Sequence, residues 1–206
     1  MTMLLLIIDG RLKGQKQSCS CFADFGQQFL APYEGISLSG GIVIRSALDK
    51  DAISIAKIYN HYISDTVVTF ETETISSEDI LKRICKIQSE DLPWLIAEDD
   101  MGKVIGYAYA STWRERFAYR FSVEVTVYLS PNALGHGLGS QLYEALFTEL
   151  KHRSIHSVIG GITLPNQASV ALHEKFGLEK VAHFKEVGFK FNQWKDVGYW
   201  QGVIKA

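Results

Sequence analysis

Cysteine is scarce in this chain, with three in 206 residues. Only Cys19 and Cys21 are near neighbours and Cys85 stands apart, so neither a CxxC metal pattern nor a disulfide framework is supported, and free thiols in a reducing cytoplasm are expected. Charge of one sign is also missing. With 21 basic and 23 acidic residues the formal charge is −2, which excludes an overall field drawing the protein to nucleic acid or to an anionic membrane. Long apolar runs are absent as well. Residues 1–8 are apolar but well short of the roughly 20 needed to span a bilayer. They also lack the basic flank and small-residue cleavage site of a secretory signal, since Asp9 and Gly10 follow at once. What remains, 47% hydrophobic and 21% charged, suits one core-bearing domain.

The most informative stretch is residues 121–150, FSVEVTVYLSPNALGHGLGSQLYEALFTEL. Phe121, Val123, Val125, Val127 and Leu129 alternate with Ser122, Glu124, Thr126 and Tyr128, the period of a strand with one dry and one polar face. Pro131 and Asn132 break that period. Gly135, Gly137 and Gly139 follow, and Leu138, Leu142, Leu146 and Leu150 then recur at the four-residue step of an amphipathic helix. A strand that feeds a glycine loop opening a helix leaves backbone N–H groups unpaired at the positive end of the helix dipole, a place for phosphate. The bland alternative is a simple turn. Neither GxxxxGK[ST] nor GxGxxG is present, and the half-polar strand argues against a doubly wound parallel sheet.

The run VTVYLSPNALGHGLGSQLYEAL resembles the acetyl-coenzyme A signature of the GNAT acetyltransferase superfamily, (Q/R)-x-x-G-x-(G/A) after a strand. More narrowly, WRERFAYRFSVEVTVYLS, LPNQASVALHEKFGL and GFKFNQWKDVGYWQ resemble the branch that N-acetylates phosphinothricin, methionine sulfoximine and related amino acids. The resemblance covers about residues 42–201 and departs at Leu134, where the family has Gln or Arg. It implies an α/β fold, a central mixed and mostly antiparallel twisted sheet flanked by helices. Residues 42–206 would form the N-acetyltransferase domain, and residues 1–41 an accessory extension or a start-site artefact. It also implies acetyl-CoA as co-substrate and a small amino acid as acceptor, with a homodimer as a further expectation; no Cys stands in the signature, so direct transfer is expected, and no metal is. A non-catalytic acyl-CoA sensor and a peptide N-terminal acetylase are the competing readings.

In chain order, residues 42–46 read as a strand, and Asp49 caps a helix with Ile53, Ala56 and Tyr59 on one face. Ser76-x-x-Asp79 forms a capping box before a second helix with Ile80, Ile84 and Ile87 inside. Residues 94–97 and 104–110 make a hairpin around Asp99, Asp100 and Gly102, and residues 157–163 make a further strand. Asn166 then caps a helix over 167–176, ended by Gly177. GFKF and KDVGYWQ close the sheet as a hairpin with Trp194 and Trp200 in the core.

Roles follow from that order and from the resemblance. Acetyl-CoA would lie along Val127, Tyr128 and Leu129, on the loop Gly135, His136, Gly137, Leu138, Gly139 and Ser140, and at Asn166. Phe70, Arg114, Arg116, Phe117 and Tyr119 would line the acceptor pocket. The arginine fork suits a carboxylate, although a solvated charge cluster and a core Phe70 are the plainer alternatives. An aliphatic ammonium with a pKa of roughly 10 must lose a proton before it attacks. Glu124, on the polar face of the strand, would accept it once burial raises its pKa. Backbone N–H groups near Val127 would stabilise the oxyanion. His173, or Tyr128 in its place, would protonate the leaving thiolate, and no second metal ligand stands near His173.

Overall fold

A computed structural model describes residues 33, 35–38 and 40–205 of the chain. Its strands are β1 Ile36–Ser37, β2 Val43–Ser46, β3 Trp94–Glu98, β4 Val104–Thr112, β5 Ser122–Leu129, β6 Ser157–Leu164, β7 Glu179–Lys190 and β8 Gln193–Val203. Its helices are α1 Ala52–Asp65, α2 Ser77–Ser89, α3 Leu138–His152 and α4 Gln167–Lys175. The strands form one sheet in the order β1-β2-β3-β4-β5-β6-β8-β7. Only β5 and β6 pair in parallel, as a mixed, mostly antiparallel sheet requires. Most of residues 1–41 lies outside the described residues. The part that is described adds β1, which pairs Ile36 with Ile44 and is too short to carry a period.

The alternation of β5 sorts its two faces. Val123 and Val125 are buried beneath α3. On the other face Tyr128 meets Tyr59 and Tyr62 of α1, with ring centroids 5.1 and 4.9 Å away. The leucine ladder of α3 is fully inside, Leu138, Leu142, Leu146 and Leu150 being at most 2% exposed. Each such side chain stabilises the fold by about 1.5–3 kcal/mol, and Leu142→Ala would cost about 2–5 kcal/mol. The α2 cap forms as the spacing predicts, with Ser76 Oγ accepting from the Asp79 amide at 3.1 Å and Ile80, Ile84 and Ile87 buried.

Three expectations need correction. Ile53 is 58% exposed, not inside, although Ala56 and Tyr59 are buried as expected, because the phase of the first turn of α1 buries Ala52 and Ile55 instead. That phase is anchored by Asp51, buried and held by Arg45 at 2.7 and 3.0 Å. Trp194 is 60% exposed, because its cross-strand partner is the likewise exposed Phe189 beside the turn of the β7–β8 hairpin. Cys85 is disulfide-bonded, against the expectation of free thiols. Among the described residues, no helix is long and apolar enough to cross a membrane.

Candidate active site

The sheet opens where its one parallel pair ends. β5 and β6 are paired only from Ser122↔Ser157 to Glu124↔Ile159, yet β5 runs on to Leu129 and β6 to Leu164. The Ser130 amide donates to the Ile105 carbonyl at 2.8 Å, so the even-numbered residues of β5 address β4. By the two-residue period, Val127 and Leu129 turn their backbone groups into the gap, while the Val125 amide serves the Glu124↔Ile159 pair. An extended ligand entering there meets amides that no neighbouring strand has taken. The Leu129 carbonyl is already used, accepting from the Tyr62 hydroxyl at 2.7 Å.

Glu124 sits at the fork itself. Its Oε1 lies 3.0 Å from where a Cβ on Gly161 would be, and the Tyr199 ring lies 3.3 Å from the same point, so only glycine lets the carboxyl and the phenol share this site. Burial pushes the Glu124 carboxyl up, and the nearby Arg114 pulls it partly back. Among the described residues, no salt bridge or hydrogen bond engages that carboxyl. A cleft of about 900 Å³ surrounds it, with Thr69, Phe70, Arg114, Tyr119, Tyr128 and Tyr199 among its walls.

The glycine loop follows β5 as the spacing predicts. Gly135 and Gly137 have φ of 83° and 77°, left-handed values that favour glycine, and Gly137 is the N-cap of α3. The first turn of α3 carries no acidic side chain, so its open amides remain available to an anion. His136 and Leu134 are exposed on this loop, while Leu138 turns its side chain into the core and leaves its backbone at the helix entrance. Lys175 comes across from the end of α4, its Nζ 3.0 Å from Ser140 Oγ. Asn166 caps α4 by accepting from the Ser169 amide at 3.1 Å, and it also lines the cleft.

Comparison with known proteins decides the family. Residues 44–198 match the acetyltransferase (GNAT) domain. The chain belongs to the GNAT acetyltransferases. It is 39% identical over 160 residues to a phosphinothricin N-acetyltransferase of Streptomyces viridochromogenes, covering 78% of this chain and 86% of that protein. To the L-methionine sulfoximine/L-methionine sulfone acetyltransferase of Salmonella typhimurium it is 33% identical over 160 residues, covering 78% and 93%. A phosphinothricin acetyltransferase from Sinorhizobium meliloti, solved in complex with acetyl-CoA, superposes with a TM-score of 0.77 at 35% identity, covering 80% of this chain and 89% of that one.

The acceptor-side candidates of this GNAT chain are not all brought together. Phe70, Arg114, Tyr119 and Glu124 share the cleft. Arg116 lines a neighbouring hollow of about 1120 Å³, with Arg83, Lys86 and Glu90. The two hollows are separated by Trp113, Arg114 and Tyr119, which wall both. Phe117 is 77% exposed and lies in neither, its ring 4.2 Å beneath the Arg120 guanidinium. Arg114 itself stacks on Trp113 at 4.8 Å.

His173 is not brought to the cleft. Its ring lies on the face of β6 away from Glu124, in room left by Gly160, where a Cβ would overlap the imidazole. Its Nδ1 faces the Ser169 carbonyl at 2.7 Å and therefore carries the proton. Nε2 then accepts from the Tyr143 hydroxyl at 3.1 Å. Burial lowers the His173 pKa, so a neutral, fully engaged ring is what the GNAT fold holds here. Tyr128 does line the cleft, and burial raises its phenol well above the ordinary value, keeping it protonated.

The sequence reading missed Gly161, Tyr199 and the hairpin wall of Val181, Phe184 and Val187. One signal was present. Adjacent glycines inside a strand, Gly160 and Gly161, mark close approach on both faces, to His173 on one and to Glu124 on the other.

Proposed function

We propose that the chain transfers an acetyl group from acetyl-CoA directly to the α-amino group of a small amino acid of the phosphinothricin, methionine sulfoximine or methionine sulfone type. The observation that carries this reading is Glu124, a carboxyl with raised pKa and, among the described residues, no hydrogen bond or salt bridge, placed where β5 and β6 part. The open amides of residues 135–139, with Ser140 closing the loop, take the pyrophosphate. The β5 amides in the gap take the extended arm of the coenzyme, with Asn166 at its far side. Arg114 and Tyr119 hold the acceptor carboxylate and Phe70 borders its side chain.

Glu124, directly or through water, accepts a proton from the acceptor ammonium. The amine nitrogen then bonds to the thioester carbon, and the C–S bond breaks. The Val127 amide, turned into the gap, stabilises charge on the carbonyl oxygen. Tyr128 returns a proton to the departing thiolate, since it is protonated and lines the cleft while His173 is engaged elsewhere. No cysteine lies between residues 86 and 206, so the transfer involves no acetyl-cysteine on β5 or the glycine loop. A thiol-release assay across free amino acids, their amides, and sulfone, sulfoximine and phosphinic analogues tests the reading. Turnover of the acids and oxo-analogues, with little of the amides, is expected. Equal turnover of acid and amide would overturn the carboxylate grip.

A further inference from the structure

The connection between α1 and α2 crosses the open side of the cleft, and three consecutive residues of it are tied to other elements. The Val68 carbonyl accepts from Thr163 Oγ1 of β6 at 3.4 Å. Thr69 Oγ1 is 2.9 Å from the Tyr59 hydroxyl of α1, and the Thr69 carbonyl accepts from Lys190 Nζ of β7 at 2.8 Å. The Phe70 ring lies over Gly188 of β7, filling the space that a Cβ there would occupy. β7 reaches this position through a bulge. Between Phe184 and Gly188 its pairing shifts against Val197 and Lys195 of β8. Glu186 takes a φ of 49° in the bulge and donates its amide to Asp196 at 2.9 Å. Such bulges re-aim the strand that carries them.

Lys190 is the unusual member. It is 3% exposed, and among the described residues no carboxylate pairs with it. Its Nζ has one hydrogen-bond acceptor, the Thr69 carbonyl, with the Phe191 ring 5.1 Å away and the Glu71 charge favouring it at longer range, and burying an ammonium so is a costly way to hold a strand end, since a Met or Leu would fill the space without desolvating a charge. Gly188 is likewise unexplained by turn geometry, because its φ is ordinary and only the Phe70 ring forbids a side chain there. Both residues act on the same three-residue wall.

The geometry points to Lys190 and Gly188 as positioning residues for the acceptor: by clamping residues 68–70, the β7–β8 hairpin sets which amino acid side chains the cleft admits. This rests on reading the cleft as the acceptor site. Lys190→Met keeps the volume and removes the clamp. It raises the acceptor KM by about tenfold to a hundredfold, a misplacement effect, while the acetyl-CoA KM stays within about twofold. Gly188→Ala displaces the ring and does the same. In a Phe70→Leu background Gly188→Ala has a much smaller effect, because the ring it would strike is gone. Hydrogen exchange without any substrate reads the clamp independently: amides of residues 69–71 exchange faster in Lys190→Met than in the wild type. A residue with a merely structural role would move both KM values together, and that result overturns the proposal, as does unchanged exchange. If the wild type acetylates no amino acid, the functional reading fails, while the exchange result still decides whether the hairpin holds the wall.

Discussion

The two ends of the cleft are built from different materials. The end proposed for the coenzyme is main chain: the β5 backbone beyond its pairing with β6, two left-handed glycines and the first turn of α3, all within one continuous stretch. The end proposed for the acceptor is side chain, and its parts come from places far apart in sequence, with Phe70 from the α1–α2 connection, Arg114 and Tyr119 after β4, Glu124 from β5 and Tyr199 from β8. Backbone geometry depends on local turn chemistry and tolerates most side-chain changes. A constellation of side chains depends on packing across the whole sheet. Substitutions at the two ends should therefore split cleanly between the two substrates.

The largest expected effect lies at the junction. Glu124→Gln keeps shape and removes basicity, so kcat falls by about 10² to 10⁴ while acetyl-CoA still binds, as calorimetry on the same variant would register. Near-normal kcat would leave bulk solvent as the base. Next comes the coenzyme end. Gly137→Val cannot hold a φ of 77° without strain, and losing two charge-assisted amide contacts weakens acetyl-CoA roughly a hundredfold with the acceptor KM unchanged. An unaltered coenzyme affinity in the folded variant would remove the phosphate role of the loop. At the acceptor end, Arg114→Ala raises the acceptor KM about tenfold and Arg116→Ala less, because only Arg114 lines the cleft with Glu124. The reverse order would place the carboxylate in the neighbouring hollow.

That contrast also explains what could be read from the sequence. The β5 alternation, the α3 leucine ladder and the α2 and α4 caps are set by contacts within a few residues, and they formed as their spacing indicates. The phase of the first turn of α1 was not legible, since it hangs on Arg45 of β2 bridging Asp51 to Glu98 of β3, 53 residues beyond Arg45. His173 stands at a position where resemblance puts chemistry. Its burial depends on Gly160 and Tyr143, which no local pattern connects to it. Trp194 reads as core because it is large and apolar, but strand position decides burial, and the turn end of the β7–β8 hairpin leaves both Trp194 and Phe189 exposed.

The smallest expected effects are on stability against pH. The Glu124 carboxyl has a raised pKa in the fold, so the folded state holds its proton more tightly and this site favours folding at low pH, an advantage lost as pH rises from the ordinary glutamate value. Glu124→Gln should therefore gain melting temperature over the wild type at neutral pH, with the difference shrinking towards acid. His173 works the other way. Its pKa is lowered, so its contribution is complete above the ordinary histidine value and fades as pH falls below about 6.5. His173→Gln should flatten that acid limb while leaving the pH dependence of kcat in place. A kcat profile that changed shape would return His173 to the chemistry.

The measurement that bears most directly on the whole account is the titration of the Glu124 carboxyl, followed by carbon-13 NMR with Glu124→Gln as the assignment control. Burial at the fork predicts a midpoint above the ordinary glutamate value of about 4.3, coinciding with a limb in the wild-type kcat/KM profile that Glu124→Gln lacks. A midpoint at or below that value, with the limb retained in the variant, would contradict the assignment of Glu124 as the base.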